Sequence, residues 1–103
     1  MKWYKKLYVG ASIKQPKWVR FQVTYGKKMK GYYCIALSAN GHNLLDIYES
    51  KFLRTPNMNT ENIFIVGVAG NKTEAYDVVR SIIEDVYIHT RGFDIKNYLG
   101  IPV

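Results

Sequence analysis

The stretch Asn62-Ile63-Phe64-Ile65-Val66-Gly67-Val68-Ala69-Gly70-Asn71-Lys72-Thr73-Glu74 decides the fold class. Its first eight residues form a short, nearly continuous apolar run rich in β-branched side chains, which is how a strand covered on both faces reads. A central strand is expected there. Behind it Asn71 is placed to cap a helix, and Glu74, three residues on, to reach back as its capping-box partner. Ala75, Val78, Val79, Ile82, Ile83 and Val86 then recur at three- and four-residue steps, with Lys72, Asp77, Arg80, Glu84 and Asp85 largely on the other side. This predicts a surface helix packed by one face, running to about Thr90 and stopping near Gly92.

Towards the N-terminus the pattern repeats. Residues 32–38 read as a second buried strand, and Asn40 or Asn43 can cap a shorter helix carrying Leu44, Leu45, Ile47, Tyr48 and Phe52 before Pro56. Strand and helix in alternation imply βαβ units with parallel neighbours. Residues 3–9 add a strand, placed at an edge because its lysines need water.

Residues 13–30 admit two readings. Val19, Phe21, Val23 and Tyr25 alternate with Arg20, Gln22 and Thr24, which would make residues 18–38 a β-hairpin and the fold α+β. On a helix, Trp18, Phe21, Gln22, Tyr25 and Met29 share one side as the inner face, and Lys17, Arg20, Thr24, Lys27 and Lys28 an adjacent one, with Pro16 tolerated in the first turn. Periodicity does not separate the two.

A resemblance bears on this choice. Leu7-Tyr8-Val9-Gly10, Tyr33-Cys34-Ile35-Ala36-Leu37-Ser38-Ala39-Asn40, Asn43-Leu44-Leu45-Asp46-Ile47-Tyr48, Phe64-Ile65-Val66-Gly67-Val68-Ala69, Glu74-Ala75-Tyr76-Asp77-Val78-Val79 and Phe93-Asp94-Ile95-Lys96-Asn97-Tyr98-Leu99 span most of the chain. Together they resemble an uncharacterised family of small proteins from Clostridia and related gut bacteria, to which no function is assigned. The family is lysine-rich and more plainly helical where this chain has residues 13–28, and commonly has Asn-Pro where this chain has Asn40-Gly41. The resemblance implies the order β-α-β-α-β-α, favours helix for residues 13–26, and implies no activity and no catalytic residues. The expected fold is a single α/β domain over residues 1–103, with a small three-stranded, mostly parallel sheet and three helices. Three strands leave one face or edge thinly covered, so a homodimer is a possible way to complete the core.

The chain has 103 residues, 48% of them hydrophobic, with only three prolines, a composition that folds. Its net charge of +7 is unevenly spread. Lys2, Lys5, Lys6, Lys14, Lys17, Arg20, Lys27, Lys28 and Lys30 all fall in the first thirty residues, where there is no acid, and all eight acids follow later. Such asymmetry points to an acidic partner, whether protein or nucleic acid. Trp3, Tyr4, Tyr8, Trp18, Phe21, Tyr25, Tyr32 and Tyr33 lie among or beside those cations. Either the rings are core and the lysines confer solubility, or rings and cations together meet single-stranded nucleic acid or an acidic protein. No helix-turn-helix or RNA-recognition signature is visible, and lysine far outnumbers arginine, which speaks against base-specific reading of DNA.

Catalytic patterns fail when tested. A phosphate loop needs glycine directly before Lys72-Thr73 and another five residues earlier, where this chain has Asn71 and Val66. What remains is a strand-to-helix turn, offering at most a weak anion site at free amides and Lys72. Cys34, the single cysteine, lies in an apolar run and reads as a core residue of a reducing compartment. With only His42 and His89 beside it there is no zinc spacing, so no metal or cofactor is expected. Both histidines are placed at helix surfaces, and nothing brings Ser38, Ser50 or Ser81 to either as a triad. Glu84-Asp85 and Asp46 with Glu49 have the offsets of ordinary solvated faces.

Met1-Lys2-Trp3-Tyr4-Lys5-Lys6 has the charge of a secretory leader, but Leu7-Tyr8-Val9 is too short for its apolar segment, and no run approaches the ~20 residues of a membrane span. A cytoplasmic location without membrane contact is expected. The functional expectation is a small non-enzymatic accessory or regulatory protein that binds an acidic macromolecule through its basic N-terminal third. The alternatives are direct nucleic-acid binding, or inhibition of a nucleic-acid-handling complex such as a bacterial defence system.

Overall fold

The computed structural model describes residues 1–25, 31–37, 44–54, 61 and 63–101. Along the chain come β1 (Lys2–Val9), α1 (Pro16–Tyr25), β2 (Tyr33–Leu37), β3 (Leu45–Glu49), a 3-10 turn (Ser50–Arg54), β4 (Phe64–Ala69), α2 (Lys72–Thr90) and α3 (Ile95–Leu99). The strands form one sheet in the order β1-β4-β2-β3. β4 is central, as its unbroken apolar run predicts, and β1 takes an edge. β4 runs parallel to β1 and antiparallel to β2, and β2 is antiparallel to β3.

The expected three-stranded, mostly parallel sheet is therefore corrected to four strands with one parallel pair. The difference arises at Leu45–Glu49, expected to be helical, which instead pairs along β2 from Leu37↔Leu45 to Tyr33↔Glu49. Leu45 and Ile47 pack into one core and Tyr48 into the other, a period of two. Over five residues the same apolar positions fit either period, and the open edge of β2 decides between them. The β-α-β-α-β-α order implied by the resemblance is corrected by the same strand. Asn40 and Asn43, expected as caps of that helix, lie outside the described residues. Ser50 closes the hairpin: its N–H donates to the Tyr32 carbonyl at 2.8 Å, and its buried hydroxyl accepts the Tyr32 N–H at 3.1 Å.

Helices cover both faces of the sheet. On one, Ala75, Val78, Ile82 and Val86 of α2 and Ile95 of α3 meet Ile35, Leu37, Val66 and Ala69. On the other, Val19 and Val23 of α1, with Leu53 and Ile63, meet Cys34, Ala36, Ile65 and Val68. Each buried valine, leucine or isoleucine among them contributes about 1.5 to 3 kcal/mol by leaving water. Ile35 pairs with Gly67 and Ala36 with Ile65, so Val66 is the extra residue of a bulge. There a Cβ on Gly67 would lie 2.9 Å from Val78 Cγ1 and 3.2 Å from the Tyr8 carbonyl, which is why glycine is required.

The start of α2 follows the expected cap with one change. Asn71 Oδ1 accepts the Glu74 N–H at 2.9 Å, but the Glu74 carboxylate takes the Gly70 N–H at 3.0 Å, together with the N–H and hydroxyl of Ser12. Partial burial pushes the Glu74 carboxyl up, and these three donors outweigh it, so it titrates below its ordinary range. The loop from β1 to α1 is thus tied to α2. At the other end the left-handed capping position falls on Arg91, with φ 60°, one residue before the expected Gly92.

Cys34 is fully buried, and burial pushes its thiol up to about 12. A thiol-specific reagent is expected to leave the native protein unmodified at neutral pH and to label it fully in denaturant. Prompt labelling of the native chain would contradict the core assigned here.

Candidate macromolecule-binding surface

The helical reading of α1 holds and the hairpin over residues 18–38 does not, but the helix is turned away from its expected inner face. Val19 and Val23 are 3% and 1% exposed, whereas Trp18, Phe21 and Tyr25 are 52%, 52% and 70% exposed. Val19 and Val23, one turn apart, face the sheet, and the three rings are carried outward. Trp18 and Phe21 stack with centroids 5.8 Å apart and planes 14° apart, and Tyr25 follows Phe21 at 5.4 Å. A ridge of three aromatic rings therefore stands where the sequence reading placed core.

Beside this ridge lie the cations. Between Trp3↔Ile65 and Tyr8↔Gly67, four residues of β1 face a single residue of β4. Lys5 and Lys6 belong to this unpaired stretch and are exposed. With Tyr4, Leu7 and Val9 they form one wall of a cleft of about 400 Å³, and Pro16, Lys17 and Arg20 of α1 form the other. The Arg20 guanidinium lies 5.4 Å from the centre of the Trp3 ring, a cation-π contact that holds it at the cleft. Lys17 also borders a second concavity, of about 670 Å³, against Gln15, Pro16, Trp18 and Phe21. Lys14 lines a third on the far side of Trp18, with Ser12, Tyr32 and Asn71.

Of the nine cations singled out in the sequence, Lys5, Lys6, Lys17 and Arg20 thus share one cleft. Lys14 is nearby, and Lys2 stands exposed at the start of β1. Lys27, Lys28 and Lys30 lie outside the described residues. The ion pairs found among the described residues, Lys51 with Glu49 and His89 with Asp85, both at 3.3 Å, involve none of these cations. On the opposite face of the sheet α2 carries Glu74, Asp77, Glu84 and Asp85 against Lys72 and Arg80, so the two helical layers differ in sign.

The other candidates make no catalytic constellation among the described residues. Ser81 donates its hydroxyl to the Asp77 carbonyl, and Ser50 is committed to Tyr32. His89 sits exposed in the last turn of α2, with Nδ1 at 2.7 Å from the Asp85 carbonyl oxygen. The Tyr8 hydroxyl donates to Asp85 Oδ2 at 2.5 Å. Burial, and then this bond, raise the Tyr8 pKa, which keeps the phenol protonated as a structural strut between β1 and α2. Ser38 and His42 lie outside the described residues. No group of three or more His, Cys, Asp or Glu among the described residues is placed to hold a metal ion, and no described helix is long and apolar enough to cross a membrane.

No known protein family, curated protein or solved structure matches the chain.

Proposed function

We propose that the chain is a small non-enzymatic accessory protein that engages an acidic macromolecule through the surface of β1 and α1. The observation that carries this reading is the cleft between them, where Lys5, Lys6, Lys17 and Arg20 converge with no acidic residue in the described lining and beside an exposed aromatic ridge. Like charges held together raise the local potential, and a protein that gathers them without compensating acids gives up some stability to do so. A polyanion recovers that energy when it binds. The acidic α2 layer on the opposite face turns the same partner away from the rest of the molecule and so orients the encounter.

The test is equilibrium binding to heparin, a polyanion without bases or peptide, across a salt series. Affinity is expected to fall log-linearly with salt, with a slope corresponding to roughly three to four released counterions, one for each cation of the cleft. Salt-independent binding, or no binding even at ~0.05 M salt, would rule the reading out.

A further inference from the structure

We infer that the acidic partner is single-stranded nucleic acid, its phosphates following the cleft of Lys5, Lys6, Lys17 and Arg20 and a base lying against Trp18 and Phe21. The inference rests on the polyanion-binding reading and adds a chemical identity to it. A nucleotide presents a flat aromatic surface next to a negative charge, and this face offers the counterpart of each, side by side. Lys17 borders both the basic cleft and the concavity against Trp18 and Phe21, so a phosphate at the first sets its base at the second. That region is shallow and open to solvent, a platform against which one base can lie flat.

The rings favour a nucleic acid over an acidic protein. An acidic protein could meet the lysines with carboxylates and cover the rings with apolar side chains, but a single strand supplies charge and flat aromatic surface together in every nucleotide. Bases stack on such rings whatever their sequence. The rings also favour a single strand over a duplex, because stacking needs an unpaired base. Arg20, the arginine of α1 and so its best fit to guanine edges in a duplex groove, instead lies over Trp3. Lysine-dominated charge with stacking rings is the combination that binds single strands without strong sequence preference.

The experiment compares fluorescence-anisotropy titrations of oligo(dT) of about 20 nucleotides, a duplex of the same length, heparin and poly-glutamate, for the wild-type chain, Trp18→Ala and Trp18→Phe. Oligo(dT) is expected to bind more tightly than the duplex. Trp18→Ala is expected to weaken oligo(dT) about 5- to 100-fold while leaving the salt slope unchanged, the worth of one stacked base. Trp18→Phe should retain most of the affinity, and heparin binding should change less than about twofold in either variant. Because Trp18 is half exposed, neither substitution removes core packing. Heparin binding with oligo(dT) binding that ignores Trp18 would overturn this inference and leave the polyanion reading standing. Failure to bind any polyanion would end both. Tighter binding of the duplex, or poly-glutamate binding with the same Trp18 dependence, would overturn it in favour of a double strand or an acidic protein. Self-association lost in Trp18→Ala, with no oligo(dT) binding, would assign the ridge to a second copy of the chain.

Discussion

A chain carrying Lys5→Glu, Lys17→Glu and Arg20→Glu together is expected to bind heparin about 100-fold more weakly than the wild type, or weaker still, near physiological salt. Each basic side chain close to an anionic surface contributes about 1 kcal/mol, so removing three forfeits about 3 kcal/mol, and the new carboxylates add repulsion. All three side chains are exposed and form no ion pair among the described residues. The fold therefore loses only the contact of Arg20 with Trp3, and gains from relieved repulsion between the cations. The melting temperature is expected to stay within about 5 °C of the wild type. Circular dichroism on the same samples separates lost binding from lost structure.

The second large effect concerns the opposite face. Ile82 is fully buried in the middle of α2, within the cluster that joins the helix to Ile35 and Val66 of the sheet. Ile82→Ala is expected to cost about 3 kcal/mol, through lost transfer energy and the cavity left behind. That is a large share of the ~5 to 15 kcal/mol that holds a domain together, and it lowers the melting temperature by roughly 10 to 20 °C. Ile88, on the same helix but 66% exposed, provides the contrast: Ile88→Ala is expected to change stability by no more than about 0.5 kcal/mol. Urea denaturation of both variants checks the pair. A loss below ~1 kcal/mol at Ile82 would mean that α2 does not close this core.

The parts of the fold that could be read from the sequence were those whose local signals agree with one another. In β4 the apolar run, its length and the turn behind it all point the same way. In α2 the Asn71 cap and nineteen residues of consistent spacing leave no competing period. β3 is not legible in the sequence because Leu45, Asp46, Ile47, Tyr48 and Glu49 are too few to fix a period, and what makes them a strand is an unpaired edge contributed by residues nearer the N-terminus. The rotation of α1 about its axis is hidden in the sequence for a related reason. Val19 and Val23 compete with Trp18, Phe21 and Tyr25 for the inner position, and hydrophobicity alone ranks the rings higher. Which side turns inward is settled only in the packed molecule, where Val19 and Val23 meet Cys34, Ala36, Ile65 and Val68.

The binding surface was legible to the same extent. The acid-free N-terminal segment identified its cations. That Lys5, Lys6, Lys17 and Arg20 would meet across one cleft depends on α1 lying alongside β1, and the aromatic ridge beside them follows from the valine-facing turn of the helix. A stripe at helical spacing is ordinarily core, and here the spacing was right while the side was reversed.

The most direct test of the account pairs two variants of equal net charge in one heparin titration. The first carries Lys5→Glu, Lys17→Glu and Arg20→Glu, and the second carries Arg80→Glu, Arg91→Glu and Lys96→Glu, away from the β1 and α1 surface. If the cleft is the binding surface, the first variant loses about 100-fold in affinity and most of its salt dependence, while the second stays within about tenfold of the wild type. Equal losses in the two would show that heparin responds only to the total charge of the molecule, and would contradict a binding surface on β1 and α1.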